Sequence, residues 1–247
     1  MGHVLLSKEV PKLTAPMTGI LASTLSVGSS VYLMENGTAV EYLVVNQGTP
    51  SGSSLYDASC DGTWLLRKDI YETRAWHSSD VNDYAKSTIH SYLNSDFFNL
   101  FGPIEQDIIK QVKIPYLKGA GYSGTIASGS NGLICNVFLL SNREIGWTSS
   151  TSDVLPDDGA CVSYFNGTSV TDTKRIAYFN GAATNWWLRS GYKTTSTNGD
   201  KYAHVVTKTG GKNAYTATTS SNGVRPALIL PSNALFDKNT LLLKGVA

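Results

Sequence analysis

The residue types that most often carry catalysis or bind metals are few in this sequence and widely spaced. The three cysteines and four histidines are Cys60, Cys135, Cys161, His3, His77, His90 and His204. No two cysteines form a CxxC pair, and no histidines have the spacing of a zinc site or lie in a nucleophile motif. Cys161 lies in the turn-like stretch DDGACVSYF, where no motif supplies a base, although folding could bring a histidine near. We therefore expect no enzyme and no cofactor.

Acidic residues offer no clear metal site either. Asp157 and Asp158 are adjacent, and Asp80 and Asp83 are three residues apart. Neither pair has the ligand spacing of a calcium-binding loop. The sequence therefore predicts no metal ligands.

Composition narrows the classes of partner. The net charge is +1, the pI is near 7.7, and no cluster of Lys and Arg occurs, which argues against binding to nucleic acid. No run approaches the roughly 20 apolar residues that span a bilayer, so we expect no membrane insertion. Hydrophobic residues make up 41% of the chain, enough for a sizeable core.

Local patterns predict an α+β protein. The stretch SVYLMENGTAVEYLVVNQG places two β-rich runs around Asn36-Gly37, which favours a type I′ hairpin turn. Apolar residues recur at helical spacing between Asp83, a candidate N-cap, and Phe101. A shorter helix is expected over residues 104–112, with Ile104, Ile108, Ile109 and Val112 facing inward. Strands are expected before the helices, within TWLLRKDIY, and after them, within WWLRS, AHVVTKTG and GVRPALIL.

A polar segment separates two apolar ones near the end of the chain. Between Arg189 and Gly223 the sequence is rich in Thr, Ser, Gly, Asn, Lys and Tyr. Tyrosine among small polar residues is typical of adaptable protein-binding surfaces, whereas a solvated surface loop has a similar composition. Both interpretations remain open from composition alone.

The apolar segments WWLRS and GVRPALIL contain residues with two possible roles. Trp186 and Trp187 could stack on a sugar ring, but neighbours in a strand point to opposite faces, so at least one should enter the core. Arg189 and Arg225 could bind an anion, or could satisfy buried carbonyl or carboxylate oxygens. We favour the structural role for all four.

Seven segments follow one another along the chain: GTWLLRKDIYETRAW, IHSYLNSDFFNLF, VKIPY, FLLSNREIGW, RIAYFNG, WWLRSG and GVRPALILPS. In this order they resemble a family of uncharacterised domains in tail and structural proteins of phages and prophages of gut Firmicutes. The ending also resembles the C-type lectin fold of formylglycine-generating-enzyme relatives and of the variable proteins of diversity-generating retroelements. Gly191 stands where the resemblance leads us to expect proline.

The resemblance implies a C-type-lectin-like fold with two helices packed on short antiparallel strands, with long loops. It would occupy residues 29–247, after an N-terminal arm or attachment segment at residues 1–28. Residues 185–222 would form a loop face that contacts a ligand, and the resemblance to the retroelement proteins implies that this face is diversified. The expected ligand-binding residues are Asn185, Tyr192, Lys193, Thr195, Lys201, Tyr202, His204, Lys212, Asn213 and Tyr215. Val224–Leu230 is expected to pair in the same sheet as Trp187–Ser190.

The function implied by this resemblance is receptor recognition. The chain would be a phage tail-tip or fibre adhesin that binds a bacterial cell-surface protein or glycan, located in the virion or on the bacterial surface. Other phage tail proteins are expected partners, and the resemblance allows a homo-oligomer, since tail-tip proteins of similar kind are often trimers. The alternatives are a structural tail protein without host contact and an enzyme similar to formylglycine-generating enzymes.

Overall fold

The computed structural model describes residues 18–50, 54–149, 155–168, 172–193 and 199–247. Two short α-helices are present there, α1 (Thr88–Leu93) and α2 (Pro103–Ile108). The strands are β1 (Ile20–Leu21), β2 (Ser30–Glu35), β3 (Thr38–Gln47), β4 (Thr63–Arg67), β5 (Glu72–Thr73), β6 (Val112–Ile114), β7 (Tyr116–Lys118), β8 (Thr125–Ala127), β9 (Leu133–Cys135), β10 (Val137–Phe138), β11 (Ala177–Phe179), β12 (Ala182–Thr184), β13 (Trp186–Gly191), β14 (Tyr202–Val206), β15 (Lys212–Thr216), β16 (Gly223–Val224), β17 (Ala227–Leu230), β18 (Ala234–Phe236) and β19 (Leu243–Val246). The architecture is α+β, mostly β-sheet with few helices.

One five-stranded sheet has the order β10-β17-β4-β3-β2, with antiparallel neighbours throughout. Its β2–β3 hairpin confirms the predicted turn, because Asn36 and Gly37 have φ values of 47° and 74°. Positive φ at both central residues is the requirement of a type I′ turn.

A second five-stranded sheet has the order β15-β14-β13-β16-β5. Its pairs are antiparallel except β13 with β16, where Trp186 is the register partner of Gly223. The prediction that Val224–Leu230 pairs in this sheet is therefore correct only for its first residue. Val224 lies in this sheet, whereas Ala227–Leu230 pairs with β4 in the other sheet. Pro226 lies between the two strands, and its lack of an N–H prevents a continuous ladder there.

The predicted long helix is divided into short pieces. A 3₁₀ turn at Tyr84–Lys86 precedes α1, and another at Phe98–Leu100 follows it. The side chain of Asp83 makes no capping hydrogen bond, whereas the hydroxyl of Ser87 accepts one from His90 N and caps α1. Ser87 has extended dihedral angles, which interrupt the helical backbone at this residue. Its side-chain hydrogen bond stabilises this conformation and begins α1 as a separate helix.

Three of the four side chains predicted to face inward from the second helix are buried, namely Ile108, Ile109 and Val112, whereas Ile104 is not. Ile104 is 47% exposed, whereas Glu105 is buried and accepts a hydrogen bond from Met34 N at 3.0 Å. The helix ends at Ile108, and Val112 belongs to β6 rather than to the helix. Glu105 therefore faces β2 and is buried, as Ile104 was predicted to be.

The domain begins earlier than residue 29. Ile20 and Leu21 pair with Phe236 and Leu235, and Ala22 is fully buried in the core. This part of the predicted arm therefore belongs to the folded unit, while residues 1–17 lie outside the described residues. None of the described helices is long and apolar enough to cross a membrane.

Candidate functional site

Strand β13 is the rigid support of the candidate site. All six of its residues are buried, and both tryptophan rings are fully enclosed. Each indole N–H donates to a backbone carbonyl, Trp186 to Arg175 and Trp187 to Arg74, both at 2.8 Å. A buried ring whose donor is already used cannot serve as a platform for a sugar, so the structural role predicted for both tryptophans is confirmed.

Arg189 fixes β13 to the surrounding chain through all five of its N–H donors. Nε donates to Pro115 O at 3.0 Å, Nη1 to Leu139 O and Glu144 Oε2, and Nη2 to Glu144 Oε1 and Asp158 O. Arg189 and Glu144 are fully buried, with a shortest N–O distance of 2.5 Å. The guanidinium has no donor left for an external anion.

Arg225 also has a structural position. Its Nε donates to Arg67 O at 2.9 Å, and its guanidinium carbon lies 5.0 Å from the centre of a Trp186 ring. Burial, the largest effect, lowers the pKa of Arg225 to about 10. The group still carries its charge at neutral pH, held against an aromatic face.

The segment predicted as a loop face is largely a β-hairpin. β14 and β15 pair from Tyr202 with Thr216 to Val206 with Lys212. Because side chains alternate along a strand, Tyr202 and His204 point to one face of the sheet and Tyr215 points to the other. The ten predicted residues therefore do not share one surface.

One open depression collects four of the predicted residues. It has a volume of about 430 Å³ and is lined by Tyr192, Tyr202, Lys212 and Asn213, with Ala214. The ring centres of Tyr192 and Tyr202 are 6.4 Å apart in an edge-to-face arrangement. Two half-buried tyrosines and a half-buried lysine thus border one cavity, which combines apolar contact area with polar groups, whereas the side chain of Asn213 lies on the face of Tyr215.

His204 was predicted as an exposed contact residue, and this is wrong. The side chain is 1% exposed, and its ring lies 5.2 Å from the ring of Tyr192. The residue alternates with Ala203 and Val205 along a strand whose last four residues are all buried. His204 therefore supports Tyr192 from below and offers no surface to a ligand.

The remaining predicted residues lie elsewhere. Asn185 and Tyr215 line a second depression of about 450 Å³. Asn185 Oδ1 accepts from Lys208 N at 2.8 Å, and Tyr215 packs against the core. Lys193 and Lys201 are half-buried outside both depressions, and Thr195 lies outside the described residues.

Asn82 is the organising residue that sequence patterns did not indicate. It is fully buried, and its Nδ2 lies within hydrogen-bond distance of the carbonyl oxygens of Tyr192, Gly199 and Tyr202, at 2.7 to 3.1 Å. Its Oδ1 accepts from Gly121 N at 2.8 Å. One amide thus joins the ends of β13 and β14 beneath the two tyrosines.

Gly191, where proline was expected, is explained by the same asparagine. A Cβ at this position would lie 2.8 Å from Asn82 O and 2.9 Å from Asn82 Cγ. Only a residue without a side chain allows this approach of β13 to Asn82.

The cysteines lack the properties of nucleophiles. Burial is the main cause that raises the pKa of Cys60, to about 11, and it also raises the pKa values of Cys135 and Cys161. All three are free thiols, and each is protonated near neutral pH. Among the described residues, no group of three or more His, Cys, Asp or Glu side chains could hold a metal ion.

Comparisons with known proteins place the chain in a family without assigning an activity. No curated protein and no solved structure matches the chain. The matching family profile is described as a domain of unknown function, DUF6273, and covers residues 61–232. Since this match includes well over half of the sequence, the chain belongs to the DUF6273 family.

Proposed function

We propose that this protein is a receptor-recognition module and that the depression lined by Tyr192, Tyr202, Lys212 and Asn213 is its ligand-binding site. The supporting observation is the position of this depression at the edge strand β15 and the start of β14, beside β13, which is entirely buried. Tyrosine supplies large contact area with few rotatable bonds, and its phenol hydroxyl supplies hydrogen bonds. Contact with a ligand there needs no movement of the core.

The biological setting that we propose is a phage tail tip or fibre that adheres to a bacterial surface protein or glycan. This setting and a C-type-lectin-like fold both come from the resemblance of the sequence phrases. The buried frame of β13 and β16, with a polar hairpin beside it, is consistent with such a fold. The protein would then be in the virion, or on the bacterial surface if it is a cellular adhesin.

Binding to whole cells tests this function. Fluorescently labelled protein is incubated with a panel of gut Firmicutes, either untreated, treated with protease or oxidised with periodate. We expect saturable binding to some strains, with loss after protease for a protein receptor or after periodate for a glycan. Absence of saturable binding across a broad panel would contradict the proposal.

Diversification of the hairpin is a further part of this proposal. Asn213 is exposed and Lys212 is half-buried on β15, so substitutions at these positions leave the core unchanged. The encoding locus should contain a reverse transcriptase gene and a near-copy of the segment for residues 185–225. A locus with neither feature would contradict diversification but would not contradict the proposed receptor recognition.

A structural tail protein is the second candidate function. An apolar groove of about 510 Å³ lies between α2 and β19, where Ile104 is 47% and Val246 is 43% exposed. Such a surface suits subunit contacts, including the proposed trimer. If this role is correct, Ile104→Ser will shift the molar mass measured by light scattering from trimer to monomer, and the wild type will not bind cells.

A cysteine-dependent enzyme similar to formylglycine-generating enzymes has less support. The raised pKa values of all three thiols oppose thiolate chemistry at neutral pH. We therefore propose a binding protein rather than an enzyme.

A further inference from the structure

The second depression, which contains Asn185 and Tyr215, lies apart from the proposed receptor site. Its volume of about 450 Å³ falls within the range of about 300–1,000 Å³ that is typical of small-molecule sites. Among the described residues, none lines both this depression and the one that contains Tyr202. The hairpin of β14 and β15 therefore contributes to two separate surfaces.

Strand register places the side chains of Asn185 and Tyr215 on one face of the sheet. Trp187 pairs with Val205, and Ala203 pairs with Tyr215. Paired residues share a face, and so do residues two apart along a strand. Asn185 lies two residues before Trp187, and Val205 lies two residues after Ala203. The two side chains therefore approach the second depression from the same face.

Polar atoms that a ligand can reach are present in this depression. Asn185 and Tyr215 are half-buried, and Ser221, another lining residue, is exposed. Within the part of the chain that the structure describes, Asn185 Nδ2 and the Tyr215 hydroxyl make no hydrogen bond, and neither atom is buried. A ligand can thus meet an amide donor and a phenol hydroxyl without displacing a protein contact.

The turn between β14 and β15 holds one wall of the depression in place. Asn185 Oδ1 accepts from Lys208 N at 2.8 Å, which leaves the amino group of the same amide free. Thr207 Oγ1 accepts from Gly211 N at 3.0 Å and closes the turn. Because these contacts position the Asn185 amide before a ligand arrives, binding costs less conformational entropy.

The chemistry of the lining favours a neutral ligand with many hydroxyl groups. Five of the eight lining residues carry a hydroxyl, which can both donate and accept a hydrogen bond, as the hydroxyls of a sugar can. Of the described residues that line the depression, none is acidic, and Lys208 is the only one with a charge. A single exposed ammonium group contributes little to selecting an anion.

We propose that this depression binds a neutral saccharide, with hydrogen bonds from its hydroxyl groups to Asn185 Nδ2 and to the hydroxyls of Tyr215 and Ser221. The phenol ring of Tyr215 supplies apolar area for the C–H groups of a sugar ring. The proposal does not rest on receptor recognition, because the site lies on the face of the sheet opposite to Tyr202.

NMR titration of isotope-labelled protein with neutral disaccharides tests the proposal. The probes are lactose, maltose, cellobiose and N,N′-diacetylchitobiose. We expect saturable shifts with at least one of them, largest at the amides of Lys208, Thr209 and Ser221. Absence of saturable shifts with all of these probes, or shifts confined to the surroundings of Tyr202, would overturn the proposal.

Matched tyrosine variants separate the two faces of the hairpin. Tyr215→Phe keeps the ring that packs against the core and removes the free hydroxyl, so it should weaken binding of the same disaccharide about three- to tenfold. Tyr202→Phe makes the same change on the opposite face and should leave this affinity unchanged.

Asn185→Asp supplies a second variant of the site. It keeps the acceptor for Lys208 N and removes the free N–H donor, so it should also weaken disaccharide binding while retaining the turn. Unchanged affinity in both Tyr215→Phe and Asn185→Asp would contradict the assignment, as would an equal loss in Tyr202→Phe.

Discussion

Two strands of the same sheet, β13 and β15, differ completely in their surroundings. Every residue of β13 is buried, whereas no residue of β15 is. Only β14 lies between them, so the change from core to surface occurs over roughly 10 Å. The comparison shows that a single sheet can provide both a fixed support and an adaptable surface.

The edge position of β15 adds to this difference. In the hairpin register, the peptide groups of Asn213 and Tyr215 face β14. The peptide groups of alternate residues such as Ala214 face outward. The Ala214 N–H is bonded by the side chain of Asn213 at 2.8 Å. This contact protects the edge from uncontrolled strand addition, as natural edge strands require.

The largest effect is expected from breaking the ion pair behind β13. Glu144 also accepts hydrogen bonds from the Tyr56 hydroxyl at 2.8 Å and from Ser141 N at 2.9 Å. Glu144→Gln leaves the buried charge of Arg189 without its ion-pair partner and should lower the free energy of unfolding by about 3–5 kcal/mol. Lys68→Gln, in a partly exposed pair with Glu41, is the control and should cost less than about 1 kcal/mol. Urea denaturation measures both, and equal costs would contradict the rigid-support role.

Asp158, next to this ion pair, should make stability depend on pH. Burial raises the pKa of Asp158 to about 6, with Arg189 and the Ser190 hydroxyl opposing the shift. The folded state therefore holds this proton more tightly than the unfolded state. The stabilisation of the folded state by this bound proton is complete below about pH 4 and is lost as the pH rises through 6.

Asp158→Asn isolates this contribution. The variant should gain about 3 kcal/mol relative to the wild type between pH 4 and pH 7, since one pKa unit corresponds to about 1.4 kcal/mol. Burial lowers the pKa of His90 to about 4 and gives the opposite trend in both proteins, so it cancels in the difference. A difference that is independent of pH would show that Asp158 is ionised throughout.

Asn82 connects the support to the surface, so its removal should affect both. Asn82→Ala removes the bonds to the carbonyls of Tyr192 and Tyr202 and leaves Gly121 N without its acceptor. We expect a cost of about 1–3 kcal/mol in unfolding free energy together with weaker binding to cells. Loss of stability with unchanged cell binding would separate Asn82 from the site.

Local chemistry made part of this fold predictable. Asn36 and Gly37 specify their turn through their own backbone preferences. The apolar segment around Trp186 and Trp187 predicted a core strand. The division of the long helix was less accessible, because Ser87 and its neighbours form short-range bonds that compete with an otherwise regular apolar period.

Residues whose roles depend on distant parts of the chain escaped prediction. Asn82 is a single polar residue in sequence, and its partners near Tyr192 and Gly121 are far away along the chain. His204 has the composition of a contact residue, but its burial depends on what covers that face of β14. The tyrosines of the depression were identified by composition, whereas their separation from Tyr215 required the strand register.

A paired measurement on Tyr202→Ala and Tyr215→Ala tests the central claim most directly. Both tyrosines lie in the same hairpin, but Tyr202 lines the depression and Tyr215 packs against the core from the opposite face. Tyr202→Ala should raise the half-saturating concentration for cell binding about tenfold or more while barely changing the melting temperature. Tyr215→Ala should lower the melting temperature and retain binding in the folded protein. Wild-type binding by folded Tyr202→Ala would contradict the assignment of this depression as the receptor site.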